Sequence, residues 1–289
     1  MSVFRRTFVK RARIVDYKRV LTIQDISCVG QCSMTVALPI LSACGLETGV
    51  LPSAVLSTHT GGFKGFTVRD LTEDFPGINA HWQKEGIKFD AVYTGYLGSV
   101  VQVDYVKEIM ATSGKPNFLK IVDPAMGDNG KLYPAFGEDY VQAMKSLCAM
   151  ADLVLPNITE AAFLTGTEFK QQYDKTYVDD LVGKLLAMGA KTVVMTGVSY
   201  RPGRTGVLVA NAKGSQYYEH ELLSQSYHGT GDVFASAFTG ALLRGKTAFE
   251  AAQIAADYTV ACIRATMGDK EHWYGVKFEP CLPVLQNRL

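Results

Sequence analysis

The chain has 289 residues, of which 47% are hydrophobic and 20% charged, with a formal net charge of +1, a composition typical of a soluble globular protein. No apolar run approaches the ~18 residues of a membrane-spanning helix, and a net charge near zero gives no general attraction to nucleic acid or membranes. The six cysteines, at positions 28, 32, 44, 148, 262 and 281, form no CxxC pair, which favours reduced thiols in a cytoplasmic protein over a zinc site.

The chain begins with a basic segment. Residues 1–18 are rich in Arg and Lys, and Asp16 is their only acid. They lack the continuous apolar stretch of a secretory signal. We therefore predict an N-terminal extension without a role in the site, with an organelle-targeting segment as the alternative.

From residue 19 onward, short apolar runs alternate with stretches of helical spacing. The strand-like runs are Arg19–Ile26, Thr48–Ser57, Phe89–Thr94, Phe118–Val122, Asp152–Leu155 and Thr192–Thr196. The helix-like stretches are Gln31–Cys44, 99–112, 138–149, 159–165, 177–188, 231–244 and 248–265. This alternation predicts a mostly parallel sheet flanked by helices. The alternating runs Arg204–Ala210 and Gly214–Glu219 predict an antiparallel hairpin at the sheet edge, and the absence of repeats and linkers predicts one domain over residues 19–289.

The sequence HGTGD at residues 228–232 opens a strongly helical run. Gly229 and Gly231 allow a sharp turn that exposes successive backbone N–H groups, and the helix N-terminus adds partial positive charge. Such a loop suits a transferring phosphoryl group, and Asp232 could then accept a proton from an attacking hydroxyl. The alternative is that Asp232 is an ordinary helix N-cap.

Two further loops follow predicted strands. DPAMGD, residues 123–128, supplies Asp123 and Asp128, and PNITE, residues 156–160, supplies Asn157 and Glu160. In open α/β sheets ligands bind beyond the carboxyl ends of the strands, where these acids could face a Mg²⁺–phosphate cluster. A turn in the first loop, and a helix start capped by Thr159 in the second, are the alternatives.

Three loops with acids and glycines at successive strand ends favour a phosphoryl-transfer site. Protein-kinase signatures are missing, and no GxGxxG follows the first strand. These residues, in this order, resemble the ribokinase-like superfamily, in which GTGD is the anion-hole and base signature. The resemblance implies a three-layer α/β sandwich with a mostly parallel central sheet flanked by helices.

Three segments resemble the pyridoxal kinases within that superfamily: LTIQDISCVG at Leu21–Gly30, STHTG at Ser57–Gly61, and TGY at Thr94–Tyr96. The resemblance covers about residues 19–265. It implies ATP-dependent phosphorylation of the 5′-hydroxymethyl group of pyridoxal, pyridoxine or pyridoxamine. It also implies Mg²⁺ as a cofactor and a homodimer, and it leaves open whether K⁺ activates the enzyme.

The resemblance implies specific roles. Asp232 is the base, and Gly229, Thr230 and Gly231 form the anion hole. The metal and nucleotide residues are Asp123, Asp128, Asn157, Glu160, Thr196 and Gly197, with Asp123, Asp128 and Glu160 nearest the metal. The substrate residues are Asp25, His59, Thr60 and Tyr96. Residues 198–206 are expected to form a lid that brings Arg201 or Arg204 near phosphate.

Two other functions remain open. Hydroxymethylpyrimidine kinases typically carry a Gly-Gly-Ala-Gly stretch after the first strand, whereas this chain has Cys28-Val-Gly-Gln-Cys32. They also often have Cys in place of the acid at position 232. A non-catalytic vitamin or nucleotide sensor on the same fold is expected to have lost Asp232, Asp123 or Glu160, and all three are present.

Overall fold

The computed structural model describes residues 17–289 and consists of strands and helices in alternation. The strands are β1 (Arg19–Ser27), β2 (Glu47–Leu56), β3 (Val68–Asp70), β4 (Phe89–Thr94), β5 (Gly114–Val122), β6 (Gly127–Asp128), β7 (Lys131–Leu132), β8 (Leu153–Val154), β9 (Thr192–Val198), β10 (Arg204–Asn211) and β11 (Gly214–Glu221). The helices are α1 (Met34–Ala43), α2 (Phe75–Lys84), α3 (Val100–Thr112), α4 (Glu138–Cys148), α5 (Ile158–Thr165), α6 (Lys175–Met188), α7 (Thr230–Leu243), α8 (Ala248–Thr266) and α9 (Leu282–Gln286).

Nine strands form one sheet in the order β11-β10-β9-β8-β5-β4-β1-β2-β3. The central strands, from β9 to β2 in this order, are all parallel. The edge strands β3, β10 and β11 are antiparallel to their neighbours. The predicted parallel sheet and edge hairpin are confirmed. Because the central strands are parallel, the loops after β1, β4, β5, β8 and β9 meet at one edge.

Alternating side chains of the strands build two apolar cores, one on each face of the sheet. Leu21 and Val193 pack with helices α2 to α6, whereas Val20 and Val194 pack with α1, α7, α8 and α9. All four are fully buried. A strand buried on both faces reads as a continuous apolar run, which explains why the central strands were readable from the sequence. The three-layer sandwich is confirmed.

The structure corrects several predicted boundaries. Helix α1 begins at Met34, not at residue 31, because Ser33 before it adopts a left-handed conformation with φ 51°. Strand β3, helix α2, the β6–β7 hairpin and α9 were not predicted. These elements are short or mostly exposed, and α2 contains Pro76 and Gly77, so they show little hydrophobic periodicity.

Most of the predicted extension, residues 1–16, lies outside the described residues. Within residues 17–289 no helix is both long and apolar enough to cross a membrane. All six cysteines lie in this part of the chain and are free thiols.

Candidate functional site

The loop before α7 has the geometry of an anion-binding turn. Gly229 is the N-cap of α7, with φ 78°, and no side chain caps the helix. A Cβ atom at this position would lie 1.8 Å from the carbonyl oxygen of Gln31, so glycine is required both by conformation and by space. Gly231 is exposed, and the Thr230 hydroxyl donates to the carbonyl of Tyr227 at 3.2 Å. The N–H groups of the first turn are therefore left for an anion.

Asp232 lies in the first turn of α7, three residues after the N-cap, and it makes no capping hydrogen bond. Its carboxyl group is half-buried. Burial raises its pKa to about 7; a hydrogen bond from the Ser33 backbone opposes this shift, and the charge of Asp25 adds to it. The ordinary-cap alternative is thus wrong, and a carboxyl group that titrates near neutral pH is suited to general-base chemistry.

Asp123 and Glu160 form a buried acidic pair at the ends of β5 and β8. Glu160 accepts hydrogen bonds from the backbone N–H groups of Met126 (3.1 Å) and Asn157 (2.9 Å), while Asn157 Oδ1 accepts from the Glu160 N–H at 2.9 Å. Asn157, not Thr159, therefore caps α5 in a capping box. Burial raises the pKa of both acids, and the pKa of Asp123 is raised further by Glu160 and Asp232.

The acidic pair fits a divalent cation. The charges that raise the pKa of Asp123 come from acids, so two carboxylates are buried together at high electrostatic cost. Within residues 17–289 no three His, Cys, Asp or Glu side chains form a complete metal cluster. Mg²⁺ binds through one or two carboxylates and completes its shell with water and phosphate oxygens, so the donor set suits a metal that arrives with a nucleotide.

Asp128 is placed apart from this pair. It is exposed on β6, and its two oxygens accept from the backbone and side-chain nitrogens of Asn129, at 2.8 and 3.0 Å. Its charge still adds to the raised pKa of Glu160. Asp128 thus lies at the solvent-exposed edge of the acidic pair and affects the pair through its charge.

The residues expected at the nucleotide lie at the end of β9. Thr196 forms a parallel β-bridge with Asn157, and its backbone N–H donates to the carbonyl of Pro156 at 3.0 Å. The end of β9 is therefore hydrogen-bonded to the PNITE loop. Gly197 is exposed, with φ 69°, and its carbonyl accepts from Tyr173 at 3.2 Å. Thr196 thus lies beside the β8 strand end, and the nucleotide-binding role of Thr196 and Gly197 stays a prediction.

The two lid arginines are paired with an acid of the edge hairpin. Arg201 and Arg204 both pair with Glu219 on β11, and Arg204 does so at 3.1 Å. Both guanidinium groups are thus held by Glu219, and the expectation that one of them lies near phosphate stays a prediction. The β10–β11 hairpin supplies Glu219, the acid that binds both arginines, and the sequence of the loop alone did not indicate this pairing.

Of the residues expected at the substrate, Asp25 lies near enough to Asp232 for its charge to raise the pKa of Asp232. Asp25, on β1, is 6% exposed, and burial raises its pKa despite hydrogen bonds from the Ser33 and Ser27 hydroxyls. Tyr96 follows β4, and the charge of Asp25 adds to its raised pKa. Thr60 lies exposed in the loop that joins β2 to β3, residues 57–67, which we name the substrate loop.

His59 is placed differently from its predicted neighbours. Its Nδ1 accepts from the Gly61 N–H at 3.0 Å, so Nε2 carries the proton that is donated to the carbonyl of Tyr274 at 2.9 Å. Burial lowers its pKa, which agrees with a neutral ring. Both nitrogens are occupied within the protein, so His59 holds the loop that carries Thr60.

Two residues of the site were missed from the sequence. Ser33 contacts both Asp25, through its hydroxyl, and Asp232, through its N–H. Tyr133 lies beyond the β6–β7 hairpin and is 38% exposed, but partial burial of its hydroxyl, together with the charges of the nearby acids, raises its pKa far above the usual range. Its hydroxyl is thus a donor among acids. Neither residue has a periodic or spacing signal, although the left-handed backbone of Ser33 marks a strained site in the structure.

The chain also contains GALLRGKT at residues 240–247, which matches the GxxxxGK[ST] pattern of P-loop nucleotide-binding proteins. In the structure these residues form the last turn of α7 and the turn into α8. A P-loop needs a strand before the loop and a helix after it, so this match is coincidental.

Comparisons with known proteins agree with this geometry. A family model described as phosphomethylpyrimidine kinase matches residues 51–276. The pyridoxal kinase of Dictyostelium discoideum is 30% identical over 247 residues, covering 79% of this chain and 80% of that protein. Among solved structures, the pyridoxal kinase of Lactobacillus plantarum is 32% identical with a TM-score of 0.86, covering 93% of this chain and 97% of that chain.

A Bacteroides thetaiotaomicron structure, crystallised with pyridoxal and described as belonging to the phosphomethylpyrimidine kinases, is 36% identical with a TM-score of 0.88. The match covers 93% of this chain and 96% of that chain. The similarity therefore extends over most of the chain. The chain belongs to the phosphomethylpyrimidine kinase family and, within it, to the pyridoxal kinases.

Proposed function

We propose that this protein transfers the γ-phosphoryl group of ATP to the 5′-hydroxymethyl group of pyridoxal, pyridoxine or pyridoxamine. The observation that supports this most directly is the position of Asp232. A half-buried carboxyl group with a pKa of about 7 stands in the first turn of a helix whose N-terminus is open to an anion. A base and an oxyanion site are thereby held by one rigid element.

The reaction follows from these positions. Asp232 accepts the proton of the substrate hydroxyl while the hydroxyl oxygen forms a bond to the γ-phosphorus of ATP. At the same time the bond between the γ-phosphorus and the β,γ-bridging oxygen breaks, and ADP leaves. The N–H groups that follow Gly229 stabilise the charge on the phosphoryl oxygens. Asp123 and Glu160 would hold Mg²⁺, which neutralises phosphate charge when bound. Tyr133 is placed to donate a hydrogen bond on the same side.

We assign substrate recognition to the ends of β1 and β4 and to the substrate loop. Asp25 and the Thr60 hydroxyl offer an acceptor and a donor that suit the ring nitrogen and phenolic oxygen of a B6 vitamer. Tyr96 offers an aromatic ring for contact with the pyridine ring, and its own ring is packed against Phe136, with 5.4 Å between the ring centroids. His59 acts by holding the substrate loop, because its two nitrogens are already hydrogen-bonded.

Phosphorylation of hydroxymethylpyrimidine is the second candidate, because the matching family model bears that description. An ADP-release assay with pyridoxal, pyridoxine, pyridoxamine and hydroxymethylpyrimidine as acceptors separates the two. We expect turnover with at least one B6 vitamer and a lower kcat/KM with the pyrimidine. Turnover with the pyrimidine alone would reverse the assignment, and turnover with no acceptor would favour a non-catalytic binding protein.

We also propose, from the family resemblance, that residues 19–289 act as a single domain in a cytoplasmic homodimer. Light scattering of the purified protein tests the oligomeric state. Activity measured in potassium and in sodium buffers tests whether a monovalent cation is required.

The metal assignment makes a direct prediction. Glu160→Gln removes one charge of the acidic pair and can keep the capping box, because glutamine also serves at that position, but its amide nitrogen cannot accept the hydrogen bond from the Met126 N–H. We expect the Mg²⁺ concentration for half-maximal activity to rise by about 10- to 100-fold, with a loss of stability of about 1–3 kcal/mol from the unpaired N–H group. Glu138→Gln, an exposed acid on α4, is the matched control. Full activity of the unmodified protein in excess EDTA would contradict the metal site.

The raised pKa of Asp232 predicts the pH dependence of the reaction. The active form is the carboxylate, and its fraction grows as pH rises toward a pKa of about 7. We expect kcat/KM to increase about tenfold between pH 5.5 and 6.5 and to level off above about pH 8. Initial rates at saturating ATP and Mg²⁺ measure this. A flat profile over that range would show that Asp232 is already ionised or does not act as the base.

A further inference from the structure

Residues 272–275, which we name the C-terminal strap, join two loops of the site. The carbonyl oxygen of Tyr274 accepts from His59 Nε2 at 2.9 Å and from the Gln31 backbone N–H at 3.2 Å. His59 belongs to the substrate loop, and Gln31 belongs to the loop after β1, where its carbonyl faces Gly229. One carbonyl group thus ties together the loop that carries Thr60 and the loop that lies against the anion-binding turn.

An aromatic contact reinforces the junction. The ring of Trp273 lies 4.5 Å from the ring of Phe63, measured between centroids, and Phe63 meets His59 edge-on at 5.0 Å. Trp273 is 46% exposed. The Phe63 ring is therefore a main apolar partner of this large, half-exposed side chain.

Glycines make the approach possible. A Cβ atom on Gly62 would lie 2.8 Å from the Trp273 ring, and one on Gly275 would lie 2.4 Å from the Gln31 Cβ. Both glycines also have positive φ angles, 91° and 141°. At both places the backbone of a glycine packs directly against a side chain of the neighbouring segment, and there is no room for a Cβ atom.

The strap is anchored to the core immediately downstream. Val276 and Phe278 are buried, and the carbonyl of Phe278 accepts from Tyr258 at 3.0 Å. The Lys277 N–H donates to the Thr266 hydroxyl at 2.8 Å. By contrast, most of the substrate loop from residue 60 onward is exposed. The strap is therefore anchored to the core, whereas the substrate loop depends on contacts such as those with the strap.

We infer that Trp273 and Tyr274 are positioning residues that hold the substrate loop over the bound vitamin, so that the affinity for the vitamin depends on the C-terminal strap. This inference rests on the proposed function. The family resemblance recognised in the sequence ended near residue 265 and assigned no role to this segment. Because most of the strap contacts described above are with the substrate loop, its loss should change vitamin binding more than nucleotide binding.

Fluorescence offers a test that does not require turnover. The chain has two tryptophans, Trp82 and Trp273, and Trp82 packs on Phe89 in the core on the other face of the sheet. In Trp82→Phe, Trp273 is the single reporter. We expect a saturable change in its emission on titration with pyridoxal, corrected for absorbance with a free tryptophan derivative, and no change with ADP alone. The reverse variant, Trp273→Phe, reports from Trp82 and controls for non-specific quenching.

Kinetics provide the second readout. Trp273→Ala removes a ring contact, and we expect KM for pyridoxal to rise about three- to tenfold while kcat and KM for ATP stay within about twofold. Trp273→Phe keeps a ring and should restore KM. Trp273→Leu, which keeps apolar bulk without a ring, replaces the alanine variant if that variant does not fold.

The outcomes separate the inference from the function. If the unmodified protein phosphorylates pyridoxal but Trp273 is silent on titration and KM is unchanged in Trp273→Ala, the inference is wrong. A lower melting temperature with both KM values altered equally would also overturn it, because the strap would then serve stability alone. Absence of pyridoxal turnover in the unmodified protein would instead count against the proposed function.

Discussion

Replacing Asp232 with asparagine should lower kcat by about 10²- to 10⁴-fold, the usual effect of removing a general base. Asparagine keeps the size and most of the hydrogen bonding of the side chain, including its contact with the Ser33 backbone. It also removes a carboxyl group that is costly to ionise at this half-buried position, so we expect the variant to be at least as stable as the unmodified protein. Steady-state rates with pyridoxal and ATP, and thermal unfolding, measure the two effects.

The structure sharpens this prediction because Gly229, not Asp232, is the N-cap of α7. A loss of activity in Asp232→Asn therefore cannot be attributed to an unravelled helix. Asp104→Asn, which changes an exposed acid on α3 that pairs with Lys107 at 3.0 Å, is the matched control and should leave kcat within about twofold. If Asp232→Asn retained nearly normal turnover, another group would have to be the base.

Substituting alanine for Gly229 should be the most damaging change to the loop itself. The residue has φ 78°, and a Cβ atom would lie 1.8 Å from the Gln31 carbonyl oxygen, so the backbone must move. Displacing the N–H groups from the phosphoryl oxygens should lower kcat by about 10²- to 10³-fold. The strained conformation and the clash should also lower the free energy of unfolding by about 1–3 kcal/mol.

Gly245→Ala isolates the contribution of backbone strain. Gly245 also has a positive φ, 94°, but a Cβ atom there would meet no atom within 4 Å. This variant should lose about 1 kcal/mol of stability and keep its kcat. If Gly229→Ala and Gly245→Ala behaved alike in turnover, the anion-hole role of the loop would be contradicted.

The central architecture was readable from local patterns. The parallel strands were found because a strand covered on both faces is a continuous apolar run, and the loop motifs GTGD, DPAMGD and PNITE could be placed because each follows such a strand or precedes a helix. Predicted strands β4 and β9 agree with the structure to within two residues. Residue types and their order thus specified the sandwich and the edge of the sheet at which the acids gather.

The roles of individual side chains required long-range contacts. Whether Asp232 caps its helix, whether His59 has a free nitrogen, and whether Arg204 faces the site or Glu219 depend on segments far apart in the chain. A local pattern reports which face of an element is apolar, but it does not report which loops meet at the end of a sheet. The sequence therefore determined the fold and the chemical groups available for phosphoryl transfer. The tertiary packing of loops decided which groups act on the substrate and which hold the loops in place.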